Sequence, residues 1–300
     1  MTHHQPPIVS PAQKLRHLLA RPGILVISAC YDALTARLVE QAGMPATFMS
    51  GFGVAATRLA LPDTGLISYG EMVDQGRNIC GAVTIPVLGD ADTGFGNPLN
   101  IRRTIDGYRR AGFACAMIED QVSPKRCGHT AGKEVIERDG ALQRIRAAVD
   151  AREAGADILI MARTDARATH GLDEAIERCN AFVELGADMT FLEAPRSQEE
   201  MERYCRDVPG PKMANLVETG QTPLLPARVL EQMGYAVAVY PLTLLNASVT
   251  AMQKALACLK KGAPVQGLME FTALQRVVGF EDYDSAMSVY EDGGSKSTSG

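Results

Sequence analysis

The chain has 300 residues, of which 46% are hydrophobic and 22% charged, and its formal net charge is −5. No apolar run approaches the roughly 18 residues of a membrane span. No basic cluster exceeds two adjacent residues, which argues against a nucleic acid or an anionic membrane as partner. The amino terminus lacks the features of a secretory signal, so we expect a soluble, cytoplasmic protein that binds a small molecule.

Short apolar runs and helical stretches alternate along the chain. The eight runs, rich in Val, Ile, Leu and Met, cover residues 24–30, 46–50, 83–88, 114–118, 158–162, 189–192, 212–217 and 236–240. Such nearly continuous apolar runs are typical of strands buried on both faces of a parallel sheet. The predicted helices, with apolar residues three and four apart, cover 31–41, 68–81, 98–111, 137–154, 172–185, 198–205, 224–233 and 242–259.

Eight strands that alternate with eight helices predict an α/β fold of the (β/α)8 TIM-barrel type. The main alternative is a doubly wound open sheet, which would need a glycine-rich phosphate loop after its first strand. The partial motif at Gly51, Gly53 and Ala56 lacks its third glycine, so we set dinucleotide binding aside. We predict a flexible segment at 1–20, the barrel at 21–262, a helical extension at 263–290 and a flexible tail at 291–300.

Polar residues follow the predicted strands where the active site of a barrel forms. Asp90, Asp92 and Glu119 end the third and fourth strands, and such oxygen ligands suit Mg²⁺ or Mn²⁺. The alternative is a capped turn, with Glu119 paired to Lys125 or Arg163. Other strand-end residues expected at the same rim are Tyr31, Asp32, Ser50, Gly51, Asp165, Glu193, Asn215 and Tyr240.

The seven cysteines form no CxxC pair, which indicates neither a disulfide framework nor a zinc site, and most are expected to be packing residues. Cys127 lies in a different setting. Lys125 and Arg126 would favour its thiolate, and His129 could exchange a proton with it. The loop from 121 to 136 is long for a barrel, and its Pro and Gly residues suit a lid.

Several motifs together resemble the isocitrate lyase and phosphoenolpyruvate mutase superfamily, in the form found among its carbon–carbon lyases. They are Lys125-Arg126-Cys127-Gly128-His129 with Gly132-Lys133, Asp90-Ala-Asp92-Thr-Gly94-Phe-Gly96-Asn97, Ile118-Glu119-Asp120, Met161-Ala-Arg163-Thr-Asp165-Ala166 and Leu61-Pro62-Asp63. The resemblance covers roughly residues 24–259. It implies a Mg²⁺-dependent barrel acting on 2-oxo acids or their aldol adducts, and a homotetramer in which the last barrel helix is exchanged between paired subunits.

The resemblance also implies a role for each matching residue. Asp90 would be the direct metal ligand, and Asp92 and Glu119 would act mainly through bound water. Ser50, Gly51 and Phe52 would hold the oxo-acid carboxylate with help from Arg163. Cys127 matches the general acid of the lyases and shares its mobile loop with Lys125. The remaining site residues would be Tyr31, Asp63, His129, Glu193 and Asn215.

This set of residues could support retro-aldol cleavage of a 2-hydroxy acid to pyruvate and a carboxylic acid. Thr130 stands where methylisocitrate lyases tend to carry Arg, and the segment 241–246 lacks the cation that they often place there. We therefore favour a 2-alkylmalate such as 2,3-dimethylmalate over 2-methylisocitrate. Alternatives are an oxaloacetate decarboxylase or hydrolase, a phosphonomutase, against which Cys127 counts, and a non-enzymatic dicarboxylate-binding barrel.

Overall fold

The computed structural model describes residues 9–128 and 132–293. They divide into two compact units, one up to residue 246 and one from residue 247 onward. No helix of the described chain is both long and apolar enough to cross a lipid bilayer.

Eight parallel strands form the barrel of the first unit. They are β1 (Leu25–Cys30), β2 (Thr47–Met49), β3 (Val87–Asp90), β4 (Cys115–Glu119), β5 (Leu159–Thr164), β6 (Met189–Leu192), β7 (Met213–Asn215) and β8 (Val237–Tyr240). The hydrogen-bonded order runs from β6 down to β1 and continues through β8 to β7. The two edges, β6 and β7, meet at a parallel bridge between Thr190 and Lys212, which closes the barrel. The predicted TIM barrel is thereby confirmed.

Helices precede, separate and follow the strands along the described chain. They are α1 (Pro11–Leu19), α2 (Ala33–Gln41), α3 (Gly51–Leu59), α4 (Tyr69–Ala82), α5 (Pro98–Ala111), α6 (Arg138–Glu153), α7 (Ala166–Thr169), α8 (Leu172–Glu184), α9 (Gln198–Asp207), α10 (Ala227–Met233), α11 (Thr243–Lys260), α12 (Phe271–Val278) and α13 (Phe280–Gly293). α11 contains the boundary between the two units, and α12 and α13 belong to the second.

Alternate residues of each strand face opposite sides of the sheet, and this alternation separates two cores. Phe48, Leu88 and Met117 belong to a cluster to which all eight strands contribute, which is the interior of the barrel. Their neighbours Met49 and Ile118 belong instead to a cluster that includes helix residues. The interior is therefore filled with apolar side chains, and only the strand ends are left for polar ones.

Two local predictions differ from the structure. Residues 11–19 were expected in a flexible segment but form α1, because Ser10 and Gln13 make a reciprocal capping box and Leu15 is fully buried. The helix α3 was not predicted, since its Gly51 and Gly53 look like a loop in sequence; the Ser50 side chain caps it by accepting from the Gly53 N–H at 3.1 Å. Residues 1–8 and 294–300 lie outside the described chain.

Candidate active site

Six polar residues each lie two positions after an apolar residue that faces the barrel interior, so their side chains point to the same side of the sheet. For example, Met117 faces the interior of β4, and Glu119 follows it two residues later. The same step leads from Leu88 to Asp90 on β3. The six residues are Ser50, Asp90, Glu119, Arg163, Glu193 and Asn215. Strand geometry therefore brings side chains from positions 50 to 215 together at the carboxyl-terminal end of the barrel.

A cavity opens at this end of the barrel, with about 540 Å³ of space free of protein atoms, part of it open to solvent. Its polar lining consists of Ser50, Asp63, Asp90, Cys127, Arg163, Glu193 and Asn215, together with Gly128. Its apolar lining consists of Phe48, Phe52, Met117, Phe191, Met213, Val217, Val239, Pro241 and Leu242. The cavity therefore combines charge for orienting a ligand with apolar surface for burying one, as small-molecule sites do.

Buried acids surround the ammonium group of Lys125 beside this cavity. The Nζ atom lies 2.5 Å from Asp63 Oδ1 and 3.0 Å from Asp92 Oδ1. The Asp90 carboxylate accepts the backbone N–H of Asp92 at 3.0 Å and that of Gly51 at 3.3 Å. Burial would lower the pKa of Lys125, but the field of Asp92, Asp90 and Asp63 raises it well above its usual range. Lys125 is therefore a fixed cation among these acids.

The acids still hold more negative charge than their neighbours offset. Burial raises the pKa of Asp92 to about 6 and that of Glu119 well above its ordinary value, although Lys125 and Arg163 pull in the opposite direction. Glu119 Oε1 is buried with no hydrogen-bond partner, and Asp92 Oδ1 contacts Lys125 without hydrogen-bond alignment. Buried oxygens of this kind fit an additional cation.

The fit is that of a mostly hydrated cation. Within residues 9–128 and 132–293, no three Asp, Glu, His or Cys side chains converge as a ready first coordination shell. Mg²⁺ commonly keeps several waters and takes one or two protein carboxylates. This geometry is compatible with a cation that one carboxylate binds directly and that the other acids contact through its bound water molecules.

Arg163 is buried at the centre of a second charged group. Its Nε lies 2.8 Å from Asp165 Oδ2 and 3.3 Å from Glu119 Oε2, and its Nη2 lies 3.1 Å from Glu193 Oε2. Burial would lower its pKa, but the three acids raise it well above the usual range. The pairing of Glu119 with Arg163, which the sequence left open as an alternative to metal binding, is thus present. It uses Oε2 and leaves Oε1 unbonded.

The loop that carries Cys127 lies over the cavity. Its start is fixed by the Gln121 side chain, which donates to the Arg126 carbonyl and accepts from the Arg126 N–H, both at 2.9 Å. A β-carbon on Gly128 would collide with the carboxylate of Glu193 and the guanidinium of Arg163. Gly128 therefore lets the loop backbone lie against that ion pair, and Cys127, half-buried, lines the cavity.

The chain matches the phosphoenolpyruvate phosphomutase family model over residues 15–260. It belongs to the phosphoenolpyruvate mutase/isocitrate lyase superfamily. The predicted resemblance is thus confirmed. The chain is 41% identical to 2,3-dimethylmalate lyase of Eubacterium barkeri, and the match covers 93% of this chain and 94% of that protein. It is 38% identical to 2-methylisocitrate lyase of Aeropyrum pernix over 94% of this chain and 91% of that one.

Solved structures of the superfamily have the same fold. A complex of oxaloacetate acetylhydrolase with 3,3-difluorooxalacetate superposes with a TM-score of 0.90 at 36% identity, covering 96% of this chain and 99% of the other. Phosphonopyruvate hydrolase, solved with oxalate and Mg²⁺, superposes with a TM-score of 0.83 at 28% identity, covering 94% and 99%. The superfamily therefore includes members with different reactions on one barrel.

Most of the predicted superfamily site residues lie together. Ser50, Phe52, Asp63, Asp90, Cys127, Arg163, Glu193 and Asn215 line the cavity. Four more predicted residues do not line the cavity but bind residues that do. Gly51 and Asp92 donate their backbone N–H groups to Asp90, Glu119 pairs with Arg163, and Lys125 pairs with Asp63. Tyr31 is buried beside Gly53 and does not line the cavity. His129 lies outside the described residues.

Sequence reasoning missed the apolar lining. Met213 and Val239 come from the interior of β7 and β8, and Val217, Pro241 and Leu242 follow the same two strands. Four of these positions could have been found from the predicted strand ends, since they lie within one or two residues of residues 217 and 240, whereas Met213 lies near the start of the predicted run 212–217. The segment 241–246 drew attention only through the cation that it lacks, and Met213, Val217 and Val239 carry no chemistry that marks a site.

Proposed function

We propose that this protein is a carbon–carbon lyase that cleaves a 2-hydroxy di- or tricarboxylate to pyruvate and a carboxylic acid. The observation that carries the proposal is the position of Cys127 on a loop lying over a cavity that also holds Asp90, Arg163 and Glu193. A thiol in such a place can give a proton to a carbon atom inside a closed site. The names of the relatives at 38% and 41% identity support the same class of reaction.

The amino terminus of α3 is the proposed binding site for the 2-oxo acid carboxylate of the product. Ser50 and Phe52 line the cavity at the first turn of this helix, and Gly51 lies between them. Backbone N–H groups at a helix start favour a carboxylate, and the Phe52 N–H is the one in this turn that neither Asp90 nor the Ser50 side chain engages. A β-carbon on Gly51 would collide with the Asp90 carboxylate, so glycine allows the helix start to lie against the acidic group.

Asp90 is the proposed direct ligand of Mg²⁺, or of Mn²⁺, with Asp92 and Glu119 holding its water. The metal would polarise the hydroxyl and carboxylate oxygens of the substrate and neutralise the charge that develops on them. The unbonded Oε1 of Glu119 and the raised pKa of Asp92 support a cation at this place. The Mg²⁺ complex of a phosphonopyruvate hydrolase with the same barrel adds support.

The reaction proposed for these residues is a retro-aldol cleavage. The hydroxyl proton of the substrate passes to one of the buried carboxylates, and the adjacent carbon–carbon bond breaks as the carbonyl of pyruvate forms. The electron pair of the broken bond remains on the departing carboxylate fragment. Cys127 then donates its proton to that carbon, while Lys125 and Arg163 offset the charge around the site. The loop keeps water away from the carbanionic fragment until the proton is delivered.

The apolar lining supports a 2-alkylmalate as the substrate, with 2,3-dimethylmalate as the first candidate. β7, β8 and the residues that follow them contribute Met213, Val217, Val239, Pro241 and Leu242, with Asn215 as their polar member. Arg163 is the one cation among the described lining residues, and three acids already engage it. A further carboxylate on the substrate would find no unpaired cation among the described residues that line the cavity beside β7 and β8. An alkyl group of the substrate would be buried there favourably.

An oxaloacetate hydrolase is the second candidate, because a solved hydrolase superposes with a TM-score of 0.90. We propose to measure pyruvate release from 2,3-dimethylmalate and 2-methylisocitrate, glyoxylate release from isocitrate, and oxalate release from oxaloacetate, each with Mg²⁺ and after EDTA treatment. Mg²⁺-dependent pyruvate release, fastest from 2,3-dimethylmalate, is expected. Oxalate release from oxaloacetate with no pyruvate from any hydroxy acid would contradict the lyase proposal.

We also propose a cytoplasmic homotetramer in which helices of the second unit pack on a neighbouring subunit. α11 exposes Val249, Met252, Leu256 and Leu259, at spacings that form one stripe on a helix. Exposed apolar stripes of this kind mark protein contacts, and a second copy supplies an identical stripe. Sedimentation equilibrium should give a tetramer for the natural chain and smaller species for Leu256→Asp.

A further inference from the structure

Lys133 is a buried lysine of the signature segment for which the proposed chemistry has no use. It lies on the returning arm of the loop, which pairs with the outgoing arm through the bridge between Gln121 and Val135. Its Nζ atom donates to Asp165 Oδ1 at 2.9 Å and to the backbone carbonyl of Gly128. Gly128 is the residue directly after Cys127.

The far end of this contact is rigidly held. Asp165 is fully buried, and its carboxylate also accepts from Arg163 Nε at 2.8 Å. Its backbone N–H donates to Asp120 Oδ1 at 2.9 Å. Asp120 Oδ2 in turn accepts from the Thr164 hydroxyl at 2.7 Å and from Arg178 at 3.0 Å. The Lys133 ammonium group thus connects Gly128, next to Cys127, to a hydrogen-bonded network of five buried residues.

We propose that Lys133 is a positioning residue that holds Cys127 over the cavity through the carbonyl of Gly128. Gly128 lies against Glu193 and Arg163 without room for a side chain, and Lys133 binds the carbonyl of the same residue. A buried ammonium group needs several acceptors, and here one of them is on the loop and one on β5's end. The effect of Lys133 on catalysis rests on the proposed function. Its effect on the position of Cys127 is independent of that function.

Lys212 provides a matched control at the other end of the barrel. It is also buried, and its Nζ donates to the backbone carbonyl of Gly210 at 2.8 Å. It precedes β7, so it lies at the amino-terminal end of the strands, away from Cys127. A general effect of losing one buried lysine should appear in Lys212→Met as well as in Lys133→Met. An effect on the loop should appear only in Lys133→Met.

The first measurement is the rate at which iodoacetamide alkylates Cys127 in the full chain, read from the mass of its peptide, with Cys258 as internal reference. The rate is followed from pH 6 to pH 10, so that access, seen in the plateau rate, is separated from thiolate formation. We expect a plateau roughly tenfold higher in Lys133→Met, the shift that the loss of one hydrogen bond to a charged group produces. Lys133→Gln, which keeps a donor for the Gly128 carbonyl, should show a smaller rise, and Lys212→Met none.

The second measurement is the steady-state kinetics of pyruvate release by the same variants. Lys133→Met should lower kcat by about 10²-fold, the effect of displacing a catalytic group by about 1 Å, and change KM less. Unchanged alkylation of Cys127, or an equal rise in Lys212→Met, overturns the proposal; if Lys133→Met does not fold, Lys133→Gln decides by the same criterion. If alkylation rises as expected but no variant, nor the natural chain, releases pyruvate, the positioning role stands and the proposed lyase function fails.

Discussion

The two ends of the barrel differ in how fully their acids are paired. At the amino-terminal end, Asp188 Oδ2 accepts from Arg152 at 2.7 Å and from the Ile160 N–H at 2.8 Å, and Lys212 donates to a carbonyl. At the carboxyl-terminal end, Asp63 and Asp92 share the single ammonium group of Lys125, and Glu119 Oε1 is buried with no hydrogen-bond partner among the described residues. The Asp188 carboxylate is therefore fully paired where it supports the fold, whereas acids outnumber the cations Lys125 and Arg163 where a ligand is proposed.

The difference shows that an excess of buried charge is a better sign of function than buried charge alone. A balanced pair such as Arg152 and Asp188 is explained by the backbone groups it satisfies. Asp92, beside Lys125, is not explained in that way, because its burial raises its pKa to about 6. Substitutions at the two ends should therefore change activity and stability in opposite patterns.

The largest effect is expected for Asp90→Asn at the active end. Loss of the proposed direct ligand should lower kcat/KM for the hydroxy acid by about 10²-fold or more. It should also remove the rise in Tm that Mg²⁺ gives the natural chain. Asp106→Asn, which changes a surface acid of α5 paired with Arg110, is the matched control and should retain both. An unchanged Mg²⁺ shift in Asp90→Asn would contradict the role given to this carboxylate.

Asp188→Asn tests the balanced end. The substitution keeps the shape of the side chain but weakens its bonds to Arg152 and to the Ile160 N–H. We expect the free energy of unfolding to fall by about 1–3 kcal/mol, measured by urea denaturation. The kcat of the folded fraction should stay the same, and a selective loss of kcat would show that this end also serves the reaction.

Asp92→Asn should have the reverse effect in the metal-free protein. Because the pKa of Asp92 is raised from 3.8 to about 6 on folding, its ionisation destabilises the folded state. That destabilisation is absent below about pH 4, grows as the pH rises to about 6, and is constant above. Unfolding in EDTA should show Asp92→Asn to be more stable than the natural chain at pH 7, by up to about 3 kcal/mol, with no gain at pH 4. Activity should fall in the same variant.

The smallest effect is expected on the outer surface, at Glu174. Its hydrogen bonds with Arg138 and Arg178 lower its pKa from 4.5 to about 2. The stability it contributes is therefore present above about pH 4.5 and is lost as the pH falls toward 2. Glu174→Gln should cost less than about 1 kcal/mol at pH 7 by urea denaturation, and this difference should shrink at pH 3. A difference that grows in acid would show that Glu174 is not ion-paired in solution.

The barrel and most of the site could be predicted from the sequence because both follow from strand patterns. Asp90 and Glu119 stand at the ends of apolar runs, and the parallel fold brings such ends together. The start of α3 could not be predicted, because its cap depends on Ser50 and its glycines mimic a loop. The contacts of Lys133 were equally hidden, since they join residues 128, 133 and 165 through three-dimensional packing.

The central claim is that the excess charge at the carboxyl-terminal end serves a carbon–carbon cleavage in which Cys127 supplies the proton. The most direct test is pyruvate release from 2,3-dimethylmalate with Mg²⁺ by Cys127→Ser, compared with Cys258→Ser, which changes another half-buried cysteine on α11. Loss of about 10²–10⁴-fold in kcat for Cys127→Ser, with full activity in Cys258→Ser, is the result this account predicts. Equal activity in the two variants would contradict it.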